Sequence, residues 1–231
     1  MKNFKPIILL LCGIVFGLTA FPVFAQKAKE EVKDVSVNKR PLQDFANHFK
    51  AKFEKGEIDL DKSFKVVVEG ILTKEGKFDL SLDKKTGKPK TQFTLTEGDA
   101  QMVEVAKAAI ESVGDSGFFG YLRNLGAEKI KLTVAQDGET FSASIESEQK
   151  DENKAKTMAS GLNSVFEVVK LAYKQDKRRF SEDEITIING FQTPTADGTN
   201  FILNFALPKK TFHEIILHEL NKSNNNKMTS E

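Results

Sequence analysis

Apolar and polar positions along this chain follow two alternating periods. In PLQDFANHFKAKFEKG, residues 41–56, Leu42, Phe45, Phe49 and Phe53 fall three or four apart, and Gly56 closes the run. That spacing predicts an amphipathic helix opened by Pro41. From Ser63 onward the pattern takes one form three times. SFKVVVEGILTKEGKFDLSL has a β-rich run on each side of Glu75-Gly76, KIKLTVAQDGETFSASIES on each side of Asp137-Gly138, and FQTPTADGTNFILNFAL on each side of Asp197-Gly198. An acid followed by glycine between alternating runs is a strong hairpin signal, because both residues tolerate the backbone of a tight turn.

A helical stripe follows each hairpin. The first contains Met102, Val105, Ala106, Ala109, Ile110 and Val113, the second Met158, Leu162, Val165, Phe166 and Val169, and the third Phe212, Ile215, Ile216 and Leu220. Thr96 with Asp99 and Pro208 mark helix starts, and Gly114 marks an end. The three glycines Gly76, Gly138 and Gly198 lie 62 and 60 residues apart, a spacing that argues for repeated units. The expected fold is α+β: three ββα-type units, at about 63–114, 129–174 and 185–221, forming antiparallel sheet with helices packed on one face. DSGFFGYLRNLG adds a short helix between the first two units, with Phe118, Phe119 and Leu122 inward. SEDEITII, residues 181–188, fits either a capped helix or a strand. The α+β domain spans residues 41–221, preceded by a flexible lead-in, 26–40, and followed by a disordered polar tail, 222–231.

The first 25 residues add a compartment. Lys2 and Lys5 precede an uncharged stretch, Pro22 breaks it, and Val23-Phe24-Ala25 resembles a small-residue cleavage site, so residues 1–25 read as a signal peptide. The alternative is an uncleaved inner-membrane anchor, since residues 7–25 carry no charge and just suffice to span a bilayer. Leu11 before Cys12 is too bulky for a lipidation motif. Cys12 is the sole cysteine, so the mature chain has no disulfide and no thiolate site. Without the leader, 32 basic residues face 33 acidic ones, which gives no global field for nucleic acid. With 19 Phe, 2 Tyr and no Trp, the aromatic residues read as core filling.

Candidate chemistry is sparse. In FHEIILHEL a zinc site would need histidines four apart on a helix, but His213 and His218 are five apart, about 140° around the axis. His48 has no visible partner. No P-loop and no G-x-S-x-G elbow is present. Basic clusters at Lys84-Lys85-Thr86-Gly87-Lys88-Pro89-Lys90 and at residues 174–179 read as solvated surface, with an anionic polymer or membrane as the other reading. No residue is assigned to catalysis, to a cofactor or to a metal, and the expectation is a protein that is not an enzyme and has no cofactor.

FKVVVEGILTKEGKFDLSLDKKTGK followed by EVAKAAIESV resembles the carboxy-terminal domain of TonB-type energy transducers, through Glu75-Gly76-Lys77-Phe78, Lys85-Thr86-Gly87 and the stretch from Ala106 to Ile110. The arrangement with DSGFFGYLRNLG and NFALPK is also similar to a group of bacterial envelope proteins, sometimes labelled TonB-like, without an established activity. The resemblance implies recognition by addition of a peptide strand to a sheet edge. The four prolines of the mature chain are unclustered, whereas a transducer needs a long proline-rich span. The resulting expectation is a non-catalytic exported periplasmic or envelope module whose partner is another envelope protein, with membrane contact only through a retained leader. Two alternatives remain: a carrier of apolar lipid-like ligands, and a hydrolase using an acidic residue pair.

Overall fold

The computed structural model describes residues 37–175 and 180–228. Residues 1–25, expected to be a signal peptide, and most of the expected lead-in lie outside the described residues. Helix α1 (Lys39–Glu54) is capped by Asn38, whose side chain accepts from the Arg40 N–H. The helix therefore starts two residues before Pro41, which sits in the first turn, where a missing N–H costs nothing. Strands β1 (Phe64–Ile71) and β2 (Thr91–Gly98) come next, followed by α2 (Ala100–Asp115) and the short α3 (Gly120–Asn124). The second unit is β3 (Lys129–Gln136), β4 (Thr140–Glu148) and α4 (Glu152–Gln175). After α5 (Glu182–Gly190) come β5 (Thr195–Asp197), β6 (Asn200–Pro208) and α6 (Lys209–Met228).

The six strands form one antiparallel sheet in the order β2-β1-β3-β4-β6-β5. Both β2 and β3 run antiparallel to β1, and both β4 and β5 run antiparallel to β6. The chain thus twice makes a split β-α-β crossover, with the strand of a hairpin slotted between. One face carries Phe64, Val66 and Val68, then Ile130 and Leu132, then Phe141, Ala143 and Ile145, then Phe201, Leu203, Phe205 and Leu207, all buried in one cluster with the helices. The opposite face carries Lys65, Glu69, Lys131, Ser142, Ser144 and Asn204, so helices cover one side only. Phenylalanine fills the space between layers. Phe141 stacks on Phe212 at 3.6 Å between centroids, and Phe205 meets Phe191, which in turn stacks on Phe166. These rings tie α4, α5 and α6 to the sheet.

The architecture matches the expected α+β fold, but the local details differ from expectation in three places. The partner of β1 is β2 at Thr91–Gly98, twenty residues on, and the run after Gly76 makes only isolated bridges, Leu72 with Phe78 and Leu82 with Pro89. Asp99 alone caps α2, accepting from the Gln101 and Met102 N–H groups, while Thr96 lies within β2. Gly114 sits inside α2, where a Cβ would strike the ring of Phe78, and the turn after the helix falls to Gly117. Residues 181–188 are helical because Ser181 and Glu184 form a reciprocal capping box. Helix α6 extends to Met228, into the polar stretch that begins at residue 222 and contains no glycine or proline up to that point. Phe118, Phe119 and Leu122 are fully enclosed, as expected.

The three acid-glycine turns differ physically. Gly76 has φ +72° and lies against the backbone of Gly120, leaving no room for a side chain. Gly138 adopts no positive φ and faces open space. Its turn is closed by Asp137, whose carboxylate accepts from the Glu139 and Thr140 N–H groups at 2.8 and 2.7 Å. Gly76→Ala is expected to lower unfolding free energy by about 3 kcal/mol or more, through overpacking and backbone strain. Gly138→Ala should stay within about 0.5 kcal/mol of wild type. Urea unfolding of the two variants checks this, and equal midpoints would contradict the assignment.

Candidate interaction surface

Strand β2 terminates the sheet and is paired on one side only, with β1. At its end the Asp99 N–H donates to the Ser63 carbonyl at 2.9 Å. Bonded and non-bonded pairs alternate along an antiparallel ladder, so the Glu97–Lys65 pair is bonded and Thr96 directs its N–H and C=O away from β1. Thr94 has no partner in β1 and forms a bulge. The bulge changes the phase of the strand, placing Phe93 opposite Val68 on the helix-covered face and Leu95 opposite Val67 on the open one. Lys107 of α2 lies over the Phe93 ring at 5.7 Å. Gln92, Thr94, Thr96 and Glu97 are exposed, and β2 contains no proline and no lysine. The opposite sheet edge, β5, is only three residues long.

Residues 72–90 join β1 to β2 and form a folded projection. The Gly76 N–H donates to the Thr73 carbonyl, and the Thr73 N–H to the Lys77 carbonyl, closing a tight turn. The turn delivers Phe78 into space left by Gly70 and Gly114, with its ring 5.2 Å from Phe119. Beyond Phe78 the chain leaves the core. Asp79 pairs with Lys90 at 2.7 Å, joining the two arms, and the Lys90 N–H donates to the Ser81 carbonyl. At the tip, Asp83 accepts from the Thr86 and Lys85 N–H groups and from the Thr86 hydroxyl. The Lys90 ammonium and the Ser81 donors hold the Asp79 carboxyl down to about 2. The backbone donors of Thr86 and Lys85 lower that of Asp83. Leu80 and Leu82, by contrast, are 72% and 61% exposed.

The histidines stay apart. Gln136, buried at the end of β3, donates through Nε2 to the Leu60 and Lys62 carbonyls at 2.6 and 2.9 Å, which fixes its Oε1 as an acceptor for His213 Nε2 at 3.0 Å. His213 therefore carries its proton on Nε2 when neutral. Its Nδ1 lies 3.8 Å from Asp61, which also meets Lys209 at 3.4 Å. Burial lowers the His213 pKa, and Asp61 partly opposes this. The cluster clamps residues 60–62 onto α6. His218 faces Asp183 of α5, and His48 is exposed on α1. Among the described residues no group of three His, Cys, Asp or Glu side chains could hold a metal ion, and no helix is long and apolar enough to cross a membrane. Of the second basic cluster, Lys174 lies in the last turn of α4 and residues 176–179 lie outside the described residues.

No family model, curated protein or solved structure matches this chain. The surface is thus defined by its own geometry. Sequence patterning had pointed to the lysines of residues 84–90 but not to Leu80 and Leu82, whose alternation resembles that of a half-buried strand. Only their place beyond Phe78 leaves them uncovered.

Because Asp79 titrates near 2 when folded and near 3.9 when unfolded, its stabilising effect is complete above about pH 4 and is lost as pH falls through about 2. Asp79→Asn should lack this part of the acid dependence. Unfolding midpoints measured from pH 5 to pH 2 should converge for the two proteins at the acid end, whereas parallel curves would count against the Asp79–Lys90 clasp.

Proposed function

We propose that this chain is a non-catalytic protein-interaction or scaffold module of a bacterial cell envelope, exported by its leader, and that it takes an extended peptide strand of another envelope protein onto β2. The observation carrying this reading is the free outer side of β2, where Thr96 presents an N–H and a C=O to solvent at the end of a six-stranded sheet. Main-chain pairing supplies affinity in such binding, and side-chain positions on alternate faces supply selectivity. Here the residues beside the edge are threonines, Gln92 and Glu97 on the strand itself, with half-buried Phe93 and Leu95 on its two faces. The carboxylates displaced from their usual range, among them Asp79, Asp83 and Asp137, are displaced downward, Asp79 chiefly by Lys90 on the facing arm and Asp83 and Asp137 by backbone donors of their own turns, which suits structural closure rather than proton transfer.

The test is selection of binding peptides from a random twelve-residue display library, followed by amide exchange of the complex. Selected peptides should slow exchange of β2 amides. Thr96→Pro, which removes an outward donor while leaving the bonds to β1, should weaken them about tenfold, the worth of one net hydrogen bond. Protection elsewhere, or unchanged affinity in the proline variant, would rule out the edge.

A further inference from the structure

We infer that the projection formed by residues 72–90 is a membrane-contact finger that seats Leu80 and Leu82 in the interfacial layer of an anionic phospholipid bilayer. This goes beyond peptide binding at β2 and uses different residues. Leu80 and Leu82 are the two most exposed large apolar side chains among the described residues, and they lie two positions apart on one arm. Lys84, Lys85 and Lys88 follow at the tip, exposed and in no ion pair among the described residues, and the same holds for Lys74 and Lys77 at the neighbouring turn. Residues 74–90 hold six lysines against three acids, in a protein otherwise close to neutral. Two of those acids are engaged internally, Asp79 by Lys90 and Asp83 by the backbone of its own turn, so neither offsets the tip lysines.

Exposed leucines beside unpaired lysines match the two layers of a bilayer surface, in which apolar side chains enter the acyl boundary and ammonium groups meet lipid phosphates. A soluble polyanion would satisfy the lysines and leave the leucines in water. The finger is also braced, by Phe78 in the core, by the Asp79–Lys90 pair and by the Leu82–Pro89 bridge, so little ordering is required on contact.

The test must separate the finger from the apolar leader, so it is read at one residue of the full chain. Cys12→Ser removes the native thiol, and Leu82→Cys carries an environment-sensitive nitrobenzoxadiazole dye. Gly138→Cys, exposed at the opposite end of the sheet, carries the same dye as a control. On vesicles containing phosphatidylglycerol the dye at residue 82 should shift to the blue and brighten, while the dye at residue 138 should not. Pure phosphatidylcholine should give no shift at either site. Each lysine near an anionic surface is worth about fivefold in partitioning, so replacing Lys84, Lys85 and Lys88 by Glu should weaken the response at residue 82 by about a hundredfold or more. Thermal melts verify folding of that variant, and Lys84→Gln alone, with about a fivefold loss, provides a milder second reading. The inference is overturned if residue 82 does not respond, if residue 138 responds equally, if neutral vesicles act as well, or if inorganic polyphosphate produces the same shift. None of these results bears on the Thr96 edge.

Discussion

The seating of Phe78 between two glycines is the contact on which the exposed features of this fold depend. Gly70 in β1 and Gly114 in α2 each lack the Cβ that would strike the ring, and Phe119 closes the site from the side. A ring over a strand glycine restores packing that the glycine forfeits. Because Phe78 is held there, the twelve residues that follow must leave the core before returning as β2. A loop of that length without an anchor would carry its closure entropy with little to offset it. Tight packing of Gly76 against the backbone of Phe119 and Gly120 fixes the turn that precedes the ring. One apolar insertion thereby fixes where the sheet edge begins and which residues remain outside.

Repetition in the chain reflects topology more than chemistry. Each hairpin and its helix contribute one covered patch of sheet, and the split crossovers let neighbouring units share a single apolar face. The same acid-glycine pair serves different ends in each unit: at Gly76 the glycine supplies both backbone freedom and empty space, whereas at Asp137 the side chain closes the turn and the glycine is incidental. A short motif therefore marks a turn without saying which residue makes it. Burial of Gln136 follows the same logic in reverse, since its amide is tolerated in the core only because both of its nitrogen bonds and its oxygen contact are satisfied.

Helices were legible in the sequence because their signal is local. The stripes of α1, α2, α4 and α6 and the inward set Phe118, Phe119 and Leu122 needed no knowledge of distant partners. Strand pairing was legible only where a hairpin closes within a few residues, as for β3 with β4. In the first unit two stretches alternate acceptably, residues 78–82 and Thr91–Gly98, and period alone cannot say which lies beside β1. Competition for the space above Gly70 and Gly114 decides it, and that is a tertiary fact. The bulge at Thr94, which sends Phe93 and Leu95 to opposite faces despite their two-residue spacing, is equally invisible to period. As for the candidate surface, the lysines of residues 84–90 were visible as charge. The exposure of Leu80 and Leu82 was not, because an alternating leucine pair ordinarily signals burial.

An unprotected edge and an apolar tip on one sheet would ordinarily be liabilities. Natural edges are blunted by lysine, proline, bulges or short length, and β5 uses the last of these. Strand β2 has the bulge at Thr94 but keeps four residues on its far side, from Leu95 to Gly98 at the end of the strand, in regular register with β1. Those residues carry one charge, Glu97. Charge that could have guarded the edge is concentrated instead at the finger, where it flanks the two leucines rather than the open backbone. A sheet selected only for solubility has no reason to separate its protective charge from its exposed backbone and to place it beside exposed leucine. On the proposed reading, two adjoining surfaces of different chemistry, one main-chain and one cationic-apolar, would account for the separation: a module meeting a bilayer through the connection between β1 and β2 would leave the side of β2 clear for a peptide.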